Sequence, residues 1–300
     1  MKSKMTFILL LLIVLLIAMP LVANADTGPK SSVIVSFEGL ENEKYYVTLL
    51  SESPTTGPHR VYDGNSNPKQ FFYGEDEEKR IWQKFVSYED EDGFYFLQFF
   101  DECTKTSEFS WRYYPPSKFK ILLYFPEYDS FVVSSETYEK YAFHSYYKVD
   151  ANGIEIQSVS IDNTRIQAEK NYSYSLELTS LISRILITII IEILIALLFG
   201  FREKMQLLII LVTNIITQSI LNILLNLINY YQGGLMFVFH YVWMELLVIV
   251  IEIIAYCSFF NKYSRKVPIG KFKISLYALI ANVASFFSGV LIANLIPSLF

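Results

Sequence analysis

The chain has 300 residues, of which 52% are hydrophobic, with a mean hydropathy of +0.31 and a formal net charge of −5. This composition is too apolar for an ordinary soluble domain. No stripe of lysine and arginine follows a predicted face, which excludes nucleic acid as a class of partner.

Residues 1–25 have the pattern of a secretory signal peptide. Lys2 and Lys4 precede an unbroken apolar run over residues 7–19, and the small-residue triplet Ala23-Asn24-Ala25 follows. The run is shorter than the ~20 residues that a spanning helix needs. We therefore expect cleavage before Asp26 and export of the residues that follow it.

Residues 26–178 predict an extracytoplasmic domain that is mostly β. Apolar and aromatic runs with a period of two alternate with turn residues. One amphipathic stretch, 77–88, predicts a single short helix. Together they favour a sandwich, with an immunoglobulin-like arrangement as one option. The predicted strands are 33–37, 45–50, 94–100, 119–125, 131–134, 142–149, 154–161 and 172–176.

Several features of this domain favour structural roles over chemistry. Cys103 lies here and Cys257 in a membrane segment, so the two predict no disulfide framework. The abundant aromatics favour a core, with an aromatic binding surface for a partner or wall polymer as the alternative. The acidic runs 75–78 and 89–92 lack the spacing of a calcium loop and are expected to be solvated.

Residues 179–300 predict four transmembrane helices, at about 181–201, 207–228, 237–260 and 274–296. The short connections favour antiparallel neighbours in a bundle. With the β-rich domain outside, the first and third connections carry the positive charges and face the cytoplasm, as the positive-inside rule requires. We therefore expect a multi-pass protein of the cell membrane with an extracellular N-terminal domain and short basic cytoplasmic loops.

The predicted helices carry polar residues at membrane depth. A charged residue at the centre of a span costs about 2.5–3.5 kcal/mol on insertion scales, so such residues are expected to be protonated, paired or turned towards a cavity. Arg184 is expected to extend to the interface, and His240 to be solvated near the outer surface. The candidates for catalysis are Glu192, Glu252 and Glu245, and those for binding are Asn214, Thr217, Gln218, Asn222, Asn282 and Tyr256.

Helical rise predicts two polar levels inside the bundle. At 1.5 Å per residue, Glu192, Asn214, Glu252 and Asn282 all lie about 12–14 Å from the cytoplasmic ends. A second level nearer the outside would hold Glu245 with Thr188 and Gln218. Amides at such positions often serve only as interhelical hydrogen-bonding groups, whereas carboxylates favour proton or cation handling, or acid chemistry.

No complete catalytic, phosphate-binding or metal-binding motif is present in the sequence. We therefore expect no metal and no cofactor, and whether the chain is an enzyme stays open. Carboxylates in a helical bundle fit acid–base work in principle, but their spacing alone names no reaction.

The membrane half resembles a family of uncharacterised membrane proteins of Gram-positive, clostridia-like bacteria. The resemblance rests on Ile191-Glu192 through Phe199-Gly200-Phe201-Arg202, on Asn214-Ile-Ile-Thr217-Gln218, and on Glu245 followed by Glu252 and Tyr256. It implies a signal peptide, a β-rich outer domain and four transmembrane helices that carry an intramembrane glutamate. It implies no activity.

Two hypotheses of function follow. In the first, the outer domain binds or senses an extracellular ligand or partner, and the polar-cored bundle anchors it as an accessory or sensor subunit. In the second, the bundle is an intramembrane proton- or ion-coupled transporter or an enzyme that uses Glu192 and Glu252. The expected partners are membrane lipid and either another membrane protein or further copies of the chain.

Overall fold

The computed structural model describes residues 29–64, 76–152, 154, 165–263 and 268–295. A β-rich region comes first and four long apolar helices follow, which confirms the predicted fold class. The predicted signal peptide and most of the predicted strand 154–161 lie outside the described residues. The strands are β1 Ser32–Glu38, β2 Tyr46–Ser51, β3 Thr55–Thr56, β4 His59–Arg60, β5 Tyr95–Phe96, β6 Asp101–Glu102, β7 Glu108–Trp111, β8 Lys118–Phe125, β9 Ser130–Ser134, β10 Tyr138–Glu139, β11 His144–Asp150, β12 Arg165–Ile166 and β13 Ala168–Lys170.

Two sheets enclose the main core of the β domain. One has the strand order β13-β11-β1-β7, and the other has the order β12-β9-β8-β2-β5, with β10 on β8 and β6 on β2. Most pairs are antiparallel, but each sheet contains one parallel pair, β1 with β11 in the first and β12 with β9 in the second. Alternate residues of β1, such as Val33 and Val35, face the second sheet and are fully buried with Trp111 and Leu123. The predicted sandwich is therefore observed, with mixed sheets.

The short helix α1, Asp76–Ser87, covers the outer face of the second sheet. Ile81, Trp82 and Phe85 lie on one side of the helix, as a period of 3.6 residues requires. Phe85 is fully buried and stacks on Phe96 with ring centroids 5.2 Å apart. This helix therefore gives the domain a second apolar core.

Two predicted strands are wrong. The predicted strand 94–100 is interrupted because Gln98 has a φ of 63° and hydrogen-bonds through its side chain to the Arg60 carbonyl at 2.9 Å. The predicted strand 172–176 is instead the start of a helix, which begins at Tyr174 with Glu177 in its first turn. An acidic residue in the first turn favours a helix N-terminus through the helix dipole.

Lys120 is a buried cation in the second sheet. Its Nζ lies 3.0 Å from both carboxylate oxygens of Asp90 and 2.5 Å from Oδ2 of Asp92. The Asp90 side chain is only 1% exposed, and its Oδ2 also accepts the backbone N–H groups of Asp92 and Phe94. The prediction that the run 89–92 is solvated is therefore wrong for Asp90, because a lysine on β8 draws this carboxylate into the domain.

The β domain is expected to lose stability in acid. The pKa of Asp92 and that of Asp129 lie below the ordinary value of 3.8, mainly because Lys120 and Lys84 donate hydrogen bonds to the carboxylates. Folding favours the ionised forms, so this contribution is complete above the unfolded pKa and is lost as the pH falls through the folded-state values. The contribution of these two carboxylates should be nearly constant above about pH 5 and should be lost below about pH 4.

Urea unfolding of the full chain in mild detergent measures this dependence through the fluorescence of Trp82 and Trp111. A Trp243→Phe background removes the third tryptophan, which lies in the membrane half. Asp129→Asn should reduce the loss of stability in acid, because one of the carboxylates with a lowered pKa is gone. A variant and parent with identical profiles from pH 3 to pH 7 would contradict the assignment to Asp129.

The four long helices form an antiparallel bundle. Their bounds are α2 Tyr174–Leu198, α3 Lys204–Gln232, α4 Gly234–Tyr263 and α5 Lys271–Leu295, and all four are long and apolar enough to cross a membrane. Each helix packs on the next in the chain, and α5 closes the bundle against α2. Gly200 ends α2 with a φ of 81°, a conformation that favours glycine.

The β domain sits directly on one end of this bundle. The backbone N–H of Phe143, just before β11, donates to the Tyr230 carbonyl in the last turn of α3 at 2.8 Å. Tyr172, between β13 and α2, packs its ring 5.1 Å from that of Tyr230. Gly233 separates α3 from α4 with a φ of 83°, and the Phe143 ring lies 2.5 Å from where a Cβ on Gly233 would stand. The two parts of the protein are thus held together by a close contact and not only by the chain.

Candidate functional site: an intramembrane carboxylate centre

Glu192 lies in the middle of the bundle and is fully buried. It comes from α2, and Asn214 of α3 donates a hydrogen bond from Nδ2 to its Oε2 at 2.6 Å. The same Nδ2 lies 3.1 Å from the hydroxyl of Tyr256 on α4. The Tyr277 hydroxyl of α5 donates to the Glu192 backbone carbonyl at 3.3 Å. All four helices therefore contribute a side chain around this carboxylate.

Glu252 of α4 lies beside it and is also fully buried. Asn282 of α5 donates from Nδ2 to Oε2 of Glu252 at 2.6 Å, and Thr217 of α3 donates to Oε1 at 3.0 Å. Tyr256, one turn further along α4, faces the same carboxylate. We name these six residues the carboxylate centre: Glu192, Asn214, Thr217, Glu252, Tyr256 and Asn282.

The other predicted site residues lie nearer the β domain. Gln218 and Asn222 are buried on α3, and Asn222 donates to the Gln218 backbone carbonyl at 2.9 Å. Glu245 is buried on α4 at 7% exposure, with the Tyr241 hydroxyl beside its carboxylate. These residues point into the bundle as their spacing predicts, but their described hydrogen bonds do not join them to the carboxylate centre.

One sequence-based expectation is wrong at this end of the bundle. His240 is not solvated: it is 5% exposed, and its Nδ1 lies 2.8 Å from the Met236 carbonyl. A hydrogen-bond partner on the preceding turn overrides the tendency of this side chain to reach water. Arg184 is half-buried, and its Nη2 donates to Oδ1 of Asn226 on α3 at 2.7 Å.

Sequence analysis also missed Tyr277. An aromatic residue at helical spacing is usually part of an apolar core, and Tyr277 does pack against Phe201 with ring centroids 5.1 Å apart. Its contact with the Glu192 carbonyl depends on how α2 and α5 are aligned. The sequence does place Tyr277 five residues before Asn282, so its hydroxyl could have been predicted to lie near the polar residues of the bundle.

Apolar clusters close the carboxylate centre on both sides. Towards the α2–α3 connection lies a cluster that contains Phe201, Phe260 and Tyr277, all buried. Towards the β domain lies a second cluster that contains Leu225 and Val248. Water is therefore held away from the carboxylates in this conformation, which strengthens the electrostatic interactions between them and their neighbours.

The carboxylate centre has more hydrogen-bond acceptors than donors. Oε1 of Glu192, Oδ1 of Asn214 and Oδ1 of Asn282 are buried, and each makes no hydrogen bond to the described residues. An ionised carboxylate only accepts hydrogen bonds, whereas a protonated one also donates. A proton on Glu192, or a bound cation, would supply what these oxygens lack. The arrangement is therefore suited to holding a proton or a small cation.

No described residues form a group of three or more histidine, cysteine or acidic side chains that could hold a metal ion. Both Cys103 and Cys257 are free thiols. No family model, curated protein or solved structure matches the chain.

Proposed function

We propose that the protein is a binding and sensing subunit of the cell membrane. The β domain lies outside the cell after removal of the signal peptide and recognises an extracellular ligand or partner. The bundle anchors the domain and carries its state to another membrane component. The connections on the opposite side, residues 199–203 and 264–270, are too short to form a signalling domain, so the signal passes to a partner protein.

Charge supports this orientation. The described residues at the α2–α3 and α4–α5 connections include Arg202, Lys204, Lys262 and Lys271. The connection between α3 and α4, which contacts the β domain, consists of Gly233 alone and carries no charge. The positive-inside rule therefore favours a cytoplasmic position for the two basic connections and an outer position for the β domain.

The observation that carries the proposal is the contact between the β domain and the α3–α4 turn. A domain that served only as a tethered binder would need no fixed orientation relative to its anchor. Here Phe143 hydrogen-bonds to Tyr230 and its ring fills the space above Gly233. A change in the β domain near β11 therefore reaches the ends of α3 and α4 directly, which a relay requires.

Gly233→Ala is expected to loosen this contact. The added Cβ would meet the Phe143 ring at 2.5 Å, and alanine is strained at a φ of 83°. With a local cost of about 1.4 kcal/mol or more, exchange of the Phe143 amide hydrogen should become about tenfold faster. Hydrogen–deuterium exchange of the full chain in detergent measures this. The matched control is Gly270→Ala, where an added Cβ meets nothing within 4 Å. Equal exchange rates of the Phe143 amide in the two variants would contradict a close contact between the β domain and the α3–α4 turn.

Purification of the tagged protein from its native membranes in mild detergent tests the proposal itself. We expect a second membrane protein to co-purify at a fixed stoichiometry. Gly233→Ala should keep that partner but abolish the partner's response to changes outside the cell. If the chain purifies only with copies of itself, the sensor-subunit proposal fails, and an autonomous role of the carboxylate centre gains support.

The second candidate is an intramembrane proton- or cation-handling protein. One side-chain oxygen each of Glu192, Asn214 and Asn282 accepts no hydrogen bond from the described residues, which favours this candidate. In a network with a purely structural role, these buried oxygens would be expected to accept hydrogen bonds. Glutamine is as large as glutamate and hydrogen-bonds well, but it cannot release a proton. The presence of two carboxylates, and not two glutamines, in one apolar environment therefore favours proton exchange over simple helix association.

Glu192→Gln is expected to abolish any proton flux through the bundle while leaving the fold intact. The assay is acidification of proteoliposomes with an internal pH indicator, and the expected flux is that of empty liposomes. Glu52→Gln, an exposed substitution in the β domain, is the matched control and should retain the parental rate. A Glu192→Gln protein with the parental flux would exclude this carboxylate as the proton carrier.

A further inference from the structure

A second polar site lies in the bundle, about three helical turns from Glu192 towards the β domain. It is a pocket of about 350 Å³ between the β-domain ends of α2, α3 and α4. This volume falls in the range of roughly 300–1,000 Å³ that is typical of small-molecule sites. Its lining includes Glu177 and Arg184 of α2, Asn226 and Asn229 of α3 and Phe237 of α4.

Arg184 forms the deep end of the pocket. A guanidinium stays charged in proteins and presents five N–H donors. One nitrogen, Nη2, donates to Asn226, and the guanidinium carbon lies 5.7 Å from the Phe237 ring centroid. The Nε group is buried and makes no hydrogen bond within the described part of the chain. The donors that remain match the oxygens of a phosphate group, which arginine binds in a bidentate manner.

The position of Arg184 favours a lipid as the carrier of that phosphate. The span predicted from the sequence begins at residue 181, so Arg184 is expected about one helical turn inside the hydrocarbon core. Two lining residues at the rim, Leu176 and Val238, are 57% and 59% exposed. A ligand with acyl chains would cover these apolar surfaces while its phosphate reached the arginine.

The charges along the pocket favour one kind of headgroup. Glu177 lies seven residues before Arg184, so both share one face of α2 about 10 Å apart along the axis. The Tyr172 hydroxyl donates a hydrogen bond to Oε1 of Glu177, which holds this carboxylate at the shallow end. A deep cation and a shallow anion complement a zwitterionic headgroup, in which the phosphate lies next to the glycerol and the amine lies further out.

We propose that this pocket binds the headgroup of an amine-bearing phospholipid from the leaflet on the β-domain side, with the phosphate on Arg184 and the ammonium group facing Glu177. The site stands apart from the carboxylate centre and does not depend on the proposed sensor function. Because Tyr172 also packs against Tyr230 in the contact between domain and bundle, the bound lipid would stabilise the same end of the protein.

The test uses the full chain, stripped of lipid in mild detergent, and its thermal unfolding midpoint. The probes are a phosphatidylethanolamine, a phosphatidylglycerol, a diacylglycerol with the same chains, and inorganic phosphate. Phosphatidylethanolamine should raise the midpoint most, phosphatidylglycerol less, and the other two should have no effect. A diacylglycerol or inorganic phosphate that raises it equally would overturn the phospholipid site, and equal effects of the two phospholipids would overturn the role of Glu177.

Variants locate the site. Arg184→Gln should raise the half-saturating concentration of phosphatidylethanolamine about tenfold or more, the loss of a charge-assisted hydrogen-bond pair. Val238→Trp blocks the opening of the pocket from an exposed position and removes no polar contact. It therefore tests lipid binding at this pocket even if Arg184→Gln does not fold. Val212→Trp, at an exposed position of α3 outside the pocket lining, should bind as the parent does. A lipid response that survives in Val238→Trp would overturn the proposal.

Discussion

Glu252→Leu is expected to destabilise the bundle by about 2–4 kcal/mol. The carboxylate accepts hydrogen bonds from Asn282 at 2.6 Å and from Thr217 at 3.0 Å. Leucine accepts neither, so two buried donors lose this partner in an apolar environment. Both donors keep a backbone acceptor, Thr217 in the Thr213 carbonyl and Asn282 in the Ala278 carbonyl at 2.9 Å, so the loss is that of two hydrogen bonds between helices. Each such bond contributes about 0.6–2 kcal/mol in membrane proteins.

Glu252→Gln should cost less than about 1 kcal/mol, because its amide can re-form the network. The glutamine oxygen can accept from Asn282, and its NH₂ group can donate to the Thr217 hydroxyl. Thr217 keeps an acceptor for its own proton in the Thr213 carbonyl at 3.0 Å. Comparison of the two variants therefore shows whether the stability of the bundle requires a hydrogen-bonding side chain at position 252 or specifically a carboxylic acid.

Unfolding of the full chain in bicelles with increasing denaturing detergent measures both variants. The double variant Glu252→Leu with Asn282→Leu should recover part of the loss, since removing both partners leaves fewer unpaired groups than removing one. Gln232→Leu, an exposed substitution at the end of α3, is the control and should be close to neutral. If Glu252→Leu is as stable as the parent, the carboxylate centre does not hold the helices together.

Lys120→Met is expected to destabilise the β domain by about 3–5 kcal/mol, the typical cost of breaking a buried ion pair by removing one partner. Methionine fills much of the space of the lysine side chain, so the effect is chiefly electrostatic. Asp90 would remain buried at 1% side-chain exposure with only two backbone N–H groups to neutralise it. Lys120 remains charged in the folded domain. Burial lowers its pKa, but the hydrogen bonds to Asp92 and Asp90 and the attraction of both carboxylates together raise the pKa above its ordinary value.

Lys118→Met is the matched control on the same strand. Lys118 is exposed and lies 3.9 Å from Glu52 and 3.7 Å from Glu139, so its loss should cost less than about 1 kcal/mol. Urea unfolding of the full chain, followed by tryptophan fluorescence, compares the two variants directly. Similar midpoints for both would mean that the Lys120 cluster contributes no more than a surface pair.

The sequence by itself was sufficient for the membrane-spanning helices and for much of the carboxylate centre. Hydropathy places the four spans because a long apolar run has no other stable environment. The cost of polar groups in lipid turns Glu192, Asn214, Glu252 and Asn282 inwards, and a fixed helical rise puts them at one depth. Every helix begins before its predicted start, since hydropathy detects the hydrocarbon-spanning part and not the turns outside it. The predicted end of α2 at residue 201 is wrong, because the helix ends at Leu198, just before Gly200.

Only the tertiary structure decided which of these groups meet. Nothing in the local sequence pairs Asn214 with Glu192, or Asn282 with Glu252, because the pairing depends on how each helix is rotated and which helices are neighbours. The same holds for Arg184, whose partner Asn226 lies on the neighbouring helix α3. In the β domain, Gln98 breaks a strand through a distant carbonyl, and Lys120 buries a carboxylate thirty residues away. Local patterns determine which face is polar, whereas long-range packing determines its partner, since a hydrogen bond or ion pair needs both groups in position at once.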